Sequence, residues 1–227
     1  MKIAILGGTG DFGEGLAIRW SRAHEVIIGS RFKEKAEKEA KEYAIKAASA
    51  YLEDMKGNII GMENSQAASI ADVIVLTIPA QYLYNFLETL KDKINKEVMI
   101  ISPVVPVTKK DLKFFYDPSI IKQGATSAAE EIAKVLQTDK VVAALHTIPA
   151  KKLADPYHRL NYDVPFCTNN KNIIDQFVKL IKDLSIHLNP LYVGGLDLAS
   201  LVESLTLTIL NISINSKIWN LSIKFVE

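Results

Sequence analysis

The chain opens on a short apolar run and a glycine-rich turn, residues 3–13, with the sequence IAILGGTGDFG. Residues 15–20 then have the composition of a helix, and a second apolar run follows at residues 26–28. A strand, a tight turn, a helix and another strand together make a compact βαβ unit. The opening therefore predicts the first unit of a parallel sheet.

The same alternation of apolar runs and helical segments continues to about residue 145. We expect helices near residues 33–55, 67–71, 83–90 and 128–136, and strands near residues 59–60, 72–79, 98–101 and 141–145. This alternation predicts an α/β fold of the Rossmann type, with a doubly wound, mainly parallel sheet covered by helices on both faces. The ligand of such a sheet lies beyond the carboxyl ends of the strands.

The composition changes after Pro149, where a polar stretch precedes a strand at 164–167, a helix at 173–184 and a strand near 191–193. Residues 196–226 contain no Gly or Pro and are apolar on most sides, which favours one long helix over a strand. We therefore predict a dinucleotide-binding Rossmann domain over residues 1–150 and a small α/β C-terminal extension, with the long apolar helix, over residues 151–227.

Composition excludes several classes of protein. The 27 Lys and Arg residues balance 26 Asp and Glu residues, whereas nucleic-acid and anionic-membrane surfaces need clustered positive charge. The single cysteine forbids an internal disulfide, and the histidines show no zinc-type spacing, so no metal is expected. The charge-free run 204–216 has 13 residues, fewer than the roughly 20 that span a bilayer. With no cationic leader at its start, the chain is predicted to be cytoplasmic.

The glycines at 8, 10 and 13 match the G-x-G-x-x-G pattern between a strand and a helix. They would allow a tight turn, close approach of a pyrophosphate and close packing of the helix on the strand. The alternative is an incidental glycine turn. Asp11 is at odds with phosphate binding unless it points away or caps the helix.

Ser30 and Arg31 stand at the end of the second strand, where NAD-selective folds carry an acidic residue. A hydroxyl and a guanidinium can hold a 2′-phosphate, with added attraction from Lys35 nearby, so the pattern favours NADP. The alternative is that Arg31 is the first charge of a solvated helix.

Three strand ends carry proline or hydroxyl residues, at 77–79, 102–106 and 146–149. In this topology they would form the floor and rim of the reaction site, although the prolines could simply end the strands. His146 is the one histidine at a strand's carboxyl end, and it could donate a hydrogen bond or a proton, or only pack. No Ser-His-Asp set or carboxylate pair is identifiable, and this favours hydride exchange between two stacked cofactor rings over carbonyl reduction.

Six motifs in order resemble those of the coenzyme F420-dependent NADP reductases: GGTG at 7–10, GSR at 29–31, LTIP at 76–79, SPVVPV at 102–107, ALHTIPA at 144–150 and LVESLT at 201–206. The resemblance covers nearly the full length and rests most specifically on the last two. It implies an archaeal or bacterial oxidoreductase that transfers hydride between reduced 8-hydroxy-5-deazaflavin and NADP, and a homo-oligomer, expected to be a dimer, joined through the C-terminal helix.

The resemblance also assigns residues to the two cofactors. It implies that Thr9, Ser30 and Arg31 hold the 2′-phosphate end and that the glycine turn holds the pyrophosphate. It also implies that Ile78, Pro79 and Ala80 border the nicotinamide and that Val104, His146, Ile148 and Thr206 line the deazaflavin pocket. The candidate catalytic residue is His146, and the candidate cofactor-binding residues are Gly8, Thr9, Gly10, Asp11, Phe12, Ser30, Arg31, Lys35, Thr77, Ile78, Pro79, Ala80, Ser102, Val104, His146, Ile148 and Thr206. Asp11-Phe12 and Leu207 depart from the family's pattern, and segments 45–58 and 116–126 look longer than usual. A flavin or metal-chelate reductase and a non-enzymatic NADPH-sensing module remain the alternatives.

Overall fold

In the computed structural model, residues 1–226 form one eight-stranded sheet, the helices that cover it and a separate hairpin. The strands are β1 (Lys2–Leu6), β2 (Glu25–Ser30), β3 (Asn58–Glu63), β4 (Val73–Leu76), β5 (Met99–Ser102), β6 (Val107–Lys110), β7 (Lys113–Tyr116), β8 (Val141–Ala143), β9 (Asp163–Cys167) and β10 (Asn189–Gly194). The helices are α1 (Asp11–Trp20), α2 (Lys33–Tyr51), α3 (Asn64–Ile70), α4 (Ala80–Leu90), α5 (Ala128–Leu136), α6 (Ala150–Ala154), α7 (Ile174–Leu184) and α8 (Ala199–Ser216).

The sheet has the strand order β10-β9-β8-β5-β4-β1-β2-β3. Every neighbouring pair is parallel except β8 and β9. The order reverses at β1 and β4, because the chain builds outward from β1 to β3 and then returns to add β4 on the other side. This reversal opens a crevice at the carboxyl ends of the two strands. The predicted doubly wound, mainly parallel sheet is confirmed.

Two hydrophobic cores, one on each face, hold the helices on the sheet. Alternate residues of a strand point to opposite faces, so Ile3 and Ile5 of β1 enter one core and Ala4 and Leu6 the other. The first core includes Trp20 of α1, and its indole Nε1 donates a hydrogen bond to the Leu180 carbonyl of α7 at 2.9 Å. The strands β9 and β10 thus continue the same sheet and core, and the division at residue 150 stays a prediction.

The predicted final helix over residues 196–226 is wrong at its C-terminal end. Helix α8 stops at Ser216, and Lys217 follows in the left-handed region with φ +59°. The Ser216 hydroxyl accepts a hydrogen bond from the Ile218 N–H, a local bond that competes with helix continuation. The remaining residues return along β9, where the Asp163 N–H donates to the Ile223 carbonyl at 3.1 Å. Helix α2 likewise ends at Tyr51 rather than near residue 55, because Leu52 has φ +46°.

The hairpin of β6 and β7 has no counterpart in the sequence prediction. Its register pairs Val107 with Tyr116 and Lys110 with Lys113, so two residues make the turn, the first of which, Asp111, has φ +54°. Helix α8 holds the hairpin through Asn211, whose side-chain amide accepts from the Phe114 N–H at 2.9 Å and donates to the Phe114 carbonyl at 2.8 Å. The amide thus acts as a short strand partner for β7.

Candidate functional site

Three glycines of the turn after β1 have different physical roles. Gly7 has φ +78°, and its N–H donates to the Gly29 carbonyl at 3.0 Å. A Cβ on Gly13 would lie 2.3 Å from the Gly8 carbonyl oxygen, so this glycine lets α1 pack against the turn. A Cβ on Gly10 would meet nothing within 4 Å. The space at Gly10 therefore faces outward, where a ligand could approach.

Helix α1 begins directly after this turn and has Gly10 as its N-cap, with no side-chain capping bond. The first N–H groups of a helix lack intrahelical partners, and with the helix dipole they favour an anion. Asp11 is exposed and does not cap the helix. It lies near Lys46 of α2, whose pKa is raised first by its hydrogen bond to Glu14 and to a lesser degree by Asp11. The carboxylate of Asp11 thus interacts with α2.

The carboxyl end of β2 carries Ser30 and Arg31 along the same sheet edge. Ser30 is 8% exposed, and its Oγ accepts a hydrogen bond from the Phe32 N–H at 3.3 Å. Arg31 is exposed, with its guanidinium carbon 6.0 Å from the Phe32 ring centroid, and Lys35 is exposed in the first turn of α2. Within residues 1–226, neither Arg31 nor Lys35 pairs with a carboxylate, so both cations are available for a phosphate.

A first cavity of about 320 Å³ lies beyond the carboxyl ends of β4, β5 and β8. It brings together nine of the predicted site residues, which are Phe12, Thr77, Ile78, Pro79, Ala80, Val104, His146, Ile148 and Thr206. The hairpin adds Val107, and the loop of residues 117–126 adds Ile120. The walls are mainly apolar, which suits a flat aromatic ring.

A second cavity of about 400 Å³ adjoins the first and shares His146, Ile148 and Thr206 with it. Its other walls come from the start of α6, from one face of α8 and from the C-terminal segment at Trp219–Leu221. These three residues therefore form a wall that the two cavities share. The C-terminal wall escaped the sequence prediction, which had placed residues 219–221 inside a long helix.

His146 is the most unusual polar group of the cleft. It is 9% exposed, and neither ring nitrogen has a hydrogen-bond partner. Burial lowers the pKa of His146 to about 3, although the nearby backbone groups of Ser102 and Val104 oppose the shift without meeting the geometry of a hydrogen bond. The imidazole is therefore neutral, with one donor and one acceptor. The buried Ser102 hydroxyl also has no partner. Buried polar atoms are normally paired, so a ligand or water has bonds to complete here.

Two features fix the backbone at His146. The preceding residue, Leu145, is buried with φ +72°, a conformation that costs a leucine about 1–3 kcal/mol. The Thr206 hydroxyl of α8 donates to the His146 carbonyl at 2.8 Å. Strain of this kind persists only where the surroundings over-determine it, and α8 supplies part of that constraint.

The remaining predicted residues do not line either cavity. Gly8, Thr9, Gly10, Asp11, Ser30, Arg31 and Lys35 lie along the neighbouring ends of β1 and β2, and Ser102 is fully buried at the end of β5. Sequence reasoning missed Asn64, whose buried Oδ1 accepts from the Gly7 N–H at 3.3 Å. A lone Asn at the start of a short helix gives no signal of such a long-range contact.

Two further predictions concern metals and membranes. In the described part of the chain, no three His, Cys, Asp or Glu side chains are grouped as metal ligands would be. Residues Leu196–Ser216 reach a mean hydropathy of 1.3 over 18 residues, enough by length and composition to cross a membrane. The charge-free run of residues 204–216 therefore underestimated the length of the apolar helix. Glu203 of this helix is buried, and the Thr206 hydroxyl donates a hydrogen bond to the His146 carbonyl, just beyond β8. These are contacts of a helix packed on a sheet.

The chain is similar in sequence and in fold to known proteins. The family described as NADP oxidoreductase coenzyme F420-dependent matches residues 2–106. The F420-dependent NADP reductase of Methanocaldococcus jannaschii is 32% identical over 226 residues, covering 96% of this chain and 94% of its own. That of Methanothermobacter thermautotrophicus is 32% identical over 237 residues, covering 100% and 95%. A crystal structure from Arthrobacter sp. FB24 has a TM-score of 0.79 and 19% identity over the full length of both chains, which supports the fold.

Proposed function

The chain belongs to the family of coenzyme F420-dependent NADP oxidoreductases, and from that premise we propose that it transfers hydride reversibly between reduced coenzyme F420 and NADP. The observation that carries this proposal is the pair of adjoining cavities beside an uncapped glycine turn. Two adjoining cavities would place two rings next to each other, and direct hydride transfer needs the reacting rings in contact.

The NADP side of the site follows from the strand ends near α1. The N–H groups after Gly10 would bind the pyrophosphate, and Ser30 with Arg31 would bind the 2′-phosphate. The segment Thr77–Ala80 and Phe12 would border the nicotinamide in the first cavity. Thr77 is held in place because its hydroxyl donates to the Leu6 carbonyl at 2.9 Å.

The deazaflavin side is the wall shared by the two cavities. When bound, reduced F420 supplies the hydride, and its oxidation by NADP also releases one proton. Val104, Ile148 and Thr206 would line the ring and exclude water from it. His146 is the candidate catalytic residue. Because its imidazole stays neutral, its expected contribution is a hydrogen bond to the ring system rather than a permanent charge.

A direct assay tests the proposed reaction. Purified protein is mixed with NADPH and oxidised F420, and the absorbance at 420 nm is followed. We expect it to fall as F420 is reduced. An unchanged absorbance with reduction of a free flavin or a ferric chelate would support the alternative reductase. NADPH binding without reduction of either acceptor would support the sensing module.

We also propose a homodimer joined through α8. Leu201 is 62% exposed on this helix, and an apolar groove of about 360 Å³ runs beside it, lined by β9, β10, α8 and Phe225. A second copy would cover this apolar surface. Light scattering at micromolar concentration tests the proposal, since a monomer mass would refute it. The relatives' archaeal sources and the single cysteine, which fits a reducing compartment, support an archaeal, cytoplasmic protein.

A further inference from the structure

Glu203 of α8 is a fully buried acid that lies outside both cavities. Its carboxylate accepts hydrogen bonds from the Ala129 N–H at 3.1 Å and the Ala128 N–H at 3.2 Å, at the start of α5. It also accepts one from the Tyr116 hydroxyl at 2.8 Å. No Lys or Arg in the described chain forms a salt bridge with it. A buried acid is costly unless its partners are well placed, so Glu203 needs the α5 N-terminus and the hairpin.

The Tyr116 hydroxyl connects the two ends of the loop formed by residues 117–126. It lies 2.9 Å from the Thr126 carbonyl as well as 2.8 Å from Glu203, but its one proton can be donated to only one of them. Both bonds form at once when Glu203 is protonated and donates to the tyrosine oxygen. Burial raises the pKa of Glu203 to about 7, against the bonds from Tyr116, Ala129 and Ala128. The protonated state is therefore accessible near neutral pH.

Tyr116 and helix α8 connect Glu203 to the wall of the first cavity. Tyr116 pairs with Val107 across the hairpin, and Val107 lines the cavity. The loop closed by Tyr116 carries Ile120, another wall residue. One turn along α8 from Glu203, Thr206 faces both cavities and bonds to the His146 carbonyl. One carboxylate thus joins three separate pieces of the wall.

We propose that Glu203 is a positioning residue that holds the hairpin, the 117–126 loop and α8 around the deazaflavin site, without contacting either cofactor. This inference rests on the proposed function, because it assigns that wall to F420. It predicts a selective effect, since the glycine turn and Arg31 lie at other strand ends and have no bond to this network.

The test uses the variants Glu203→Leu, whose side chain can neither accept nor donate a hydrogen bond, and Tyr116→Phe, with equilibrium binding measured by the fluorescence of F420 and of NADPH. We expect the Kd of F420 to rise about tenfold in each variant and the Kd of NADPH to stay within twofold. The double variant should be no weaker than the weaker single variant, because both changes break one network. In turnover, KM for F420 should rise while kcat at saturation stays within twofold.

Asp183→Asn is the matched control for general destabilisation. Asp183 forms a partly buried pair with His24 at 2.9 Å, near the start of β2 and away from both cavities. It should lower the melting temperature without changing either Kd. Equal changes in both Kd values, or none despite a lower melting temperature, in both single variants would overturn the positioning role. If the unaltered protein does not bind F420, the proposed function is refuted and this inference with it.

Discussion

Two substitutions in the glycine turn are predicted to change different properties. Gly13→Ala should lower the stability of the protein, and Gly10→Ala should weaken its binding of NADPH. In Gly13→Ala the new methyl would lie 2.3 Å from the Gly8 carbonyl oxygen and 2.6 Å from the Gly8 Cα, both backbone atoms. Ordinary contact needs more than 3.4 Å, so α1 must move by about 1 Å away from the turn. Overpacking of this kind costs about 1–3 kcal/mol.

Gly10→Ala places the same methyl in open space. Gly10 has φ −127° and ψ 174°, an extended conformation that alanine adopts without strain. The free energy of unfolding should therefore change by less than about 0.5 kcal/mol. The methyl occupies the space where the pyrophosphate would approach the helix, and we expect the Kd of NADPH to rise at least tenfold.

The two effects are separated by thermal unfolding without ligand and by fluorescence titration with NADPH. For a chain of this length, each kcal/mol lowers the melting temperature by about 2–4 °C, so Gly13→Ala should melt roughly 2–12 °C lower. Gly10→Ala should melt as the unaltered protein does and bind NADPH poorly. A stable Gly13→Ala protein, or a Gly10→Ala protein with normal NADPH affinity, would refute the assignment of packing to one glycine and ligand approach to the other.

Three further predictions concern charge and the shared wall. Arg31→Asp should raise the Kd of NADPH roughly tenfold to a hundredfold, because one charge-assisted hydrogen bond is lost, and should leave the Kd of NADH unaffected. If fluorescence titrations show the same preference for NADPH over NADH as in the unaltered protein, Arg31 is only a surface charge. His146→Ala should slow single-turnover hydride transfer about tenfold, and a normal stopped-flow rate would assign the ring to packing. Glu203 binds its proton more tightly in the folded protein, with a pKa of about 7 against about 4.5 when unfolded. Its stabilising contribution is full below pH 4.5 and is lost as the pH rises to 7. The unfolding free energy of the unaltered protein relative to Glu203→Gln should fall by about 3 kcal/mol over that range, and a pH-independent difference in urea titrations would show that Glu203 is not buried as an acid.

The parts of the fold that local patterns predict are those in which strand, turn and helix follow one another directly. The run IAIL, the glycines after it and the periodic helix behind them are short-range signals, and β1, α1 and β2 form as expected. The hairpin was missed because β6 reads VTKK and its turn, Asp111-Leu112, lacks the Asn-Gly or Gly residues typical of two-residue turns. Its position depends on Asn211 of α8, a contact 97 residues away.

Local patterns also predict only part of the candidate site. Strand ends predicted six of the nine predicted residues in the first cavity, Thr77, Ile78, Pro79, Val104, His146 and Ile148, because parallel strands bring their carboxyl ends to one edge. Phe12, Ala80 and Thr206 lie on helices and were predicted from the resemblance to the family. Ile120 ends a one-turn 3-10 helix, Pro118–Ile120, and Trp219 lies in an irregular segment. Both segments are too short or too irregular to give a periodic signal in the sequence. The LVESLT motif contains Glu203 but gives no signal of its burial, since a lone acid on a helix is usually solvated.

The C-terminal region supplies part of the walls of the two cavities, which the length of the chain alone does not predict. Residues before 150 supply the glycine turn, the strand ends and His146, but Thr206 and the wall at Trp219–Leu221 come from after β9. Since Thr206 also donates to the His146 carbonyl, next to the strained Leu145, the geometry of that strand end depends on α8. A chain cut after residue 150 would lose one wall of the second cavity together with part of the constraint on His146. Under the proposed assignment, the ends of β1 and β2 would hold the phosphates of NADP, and the strand ends together with α8 and the C-terminal segment would enclose the second ring. A chain of this length could then hold two cofactors without a separate substrate domain.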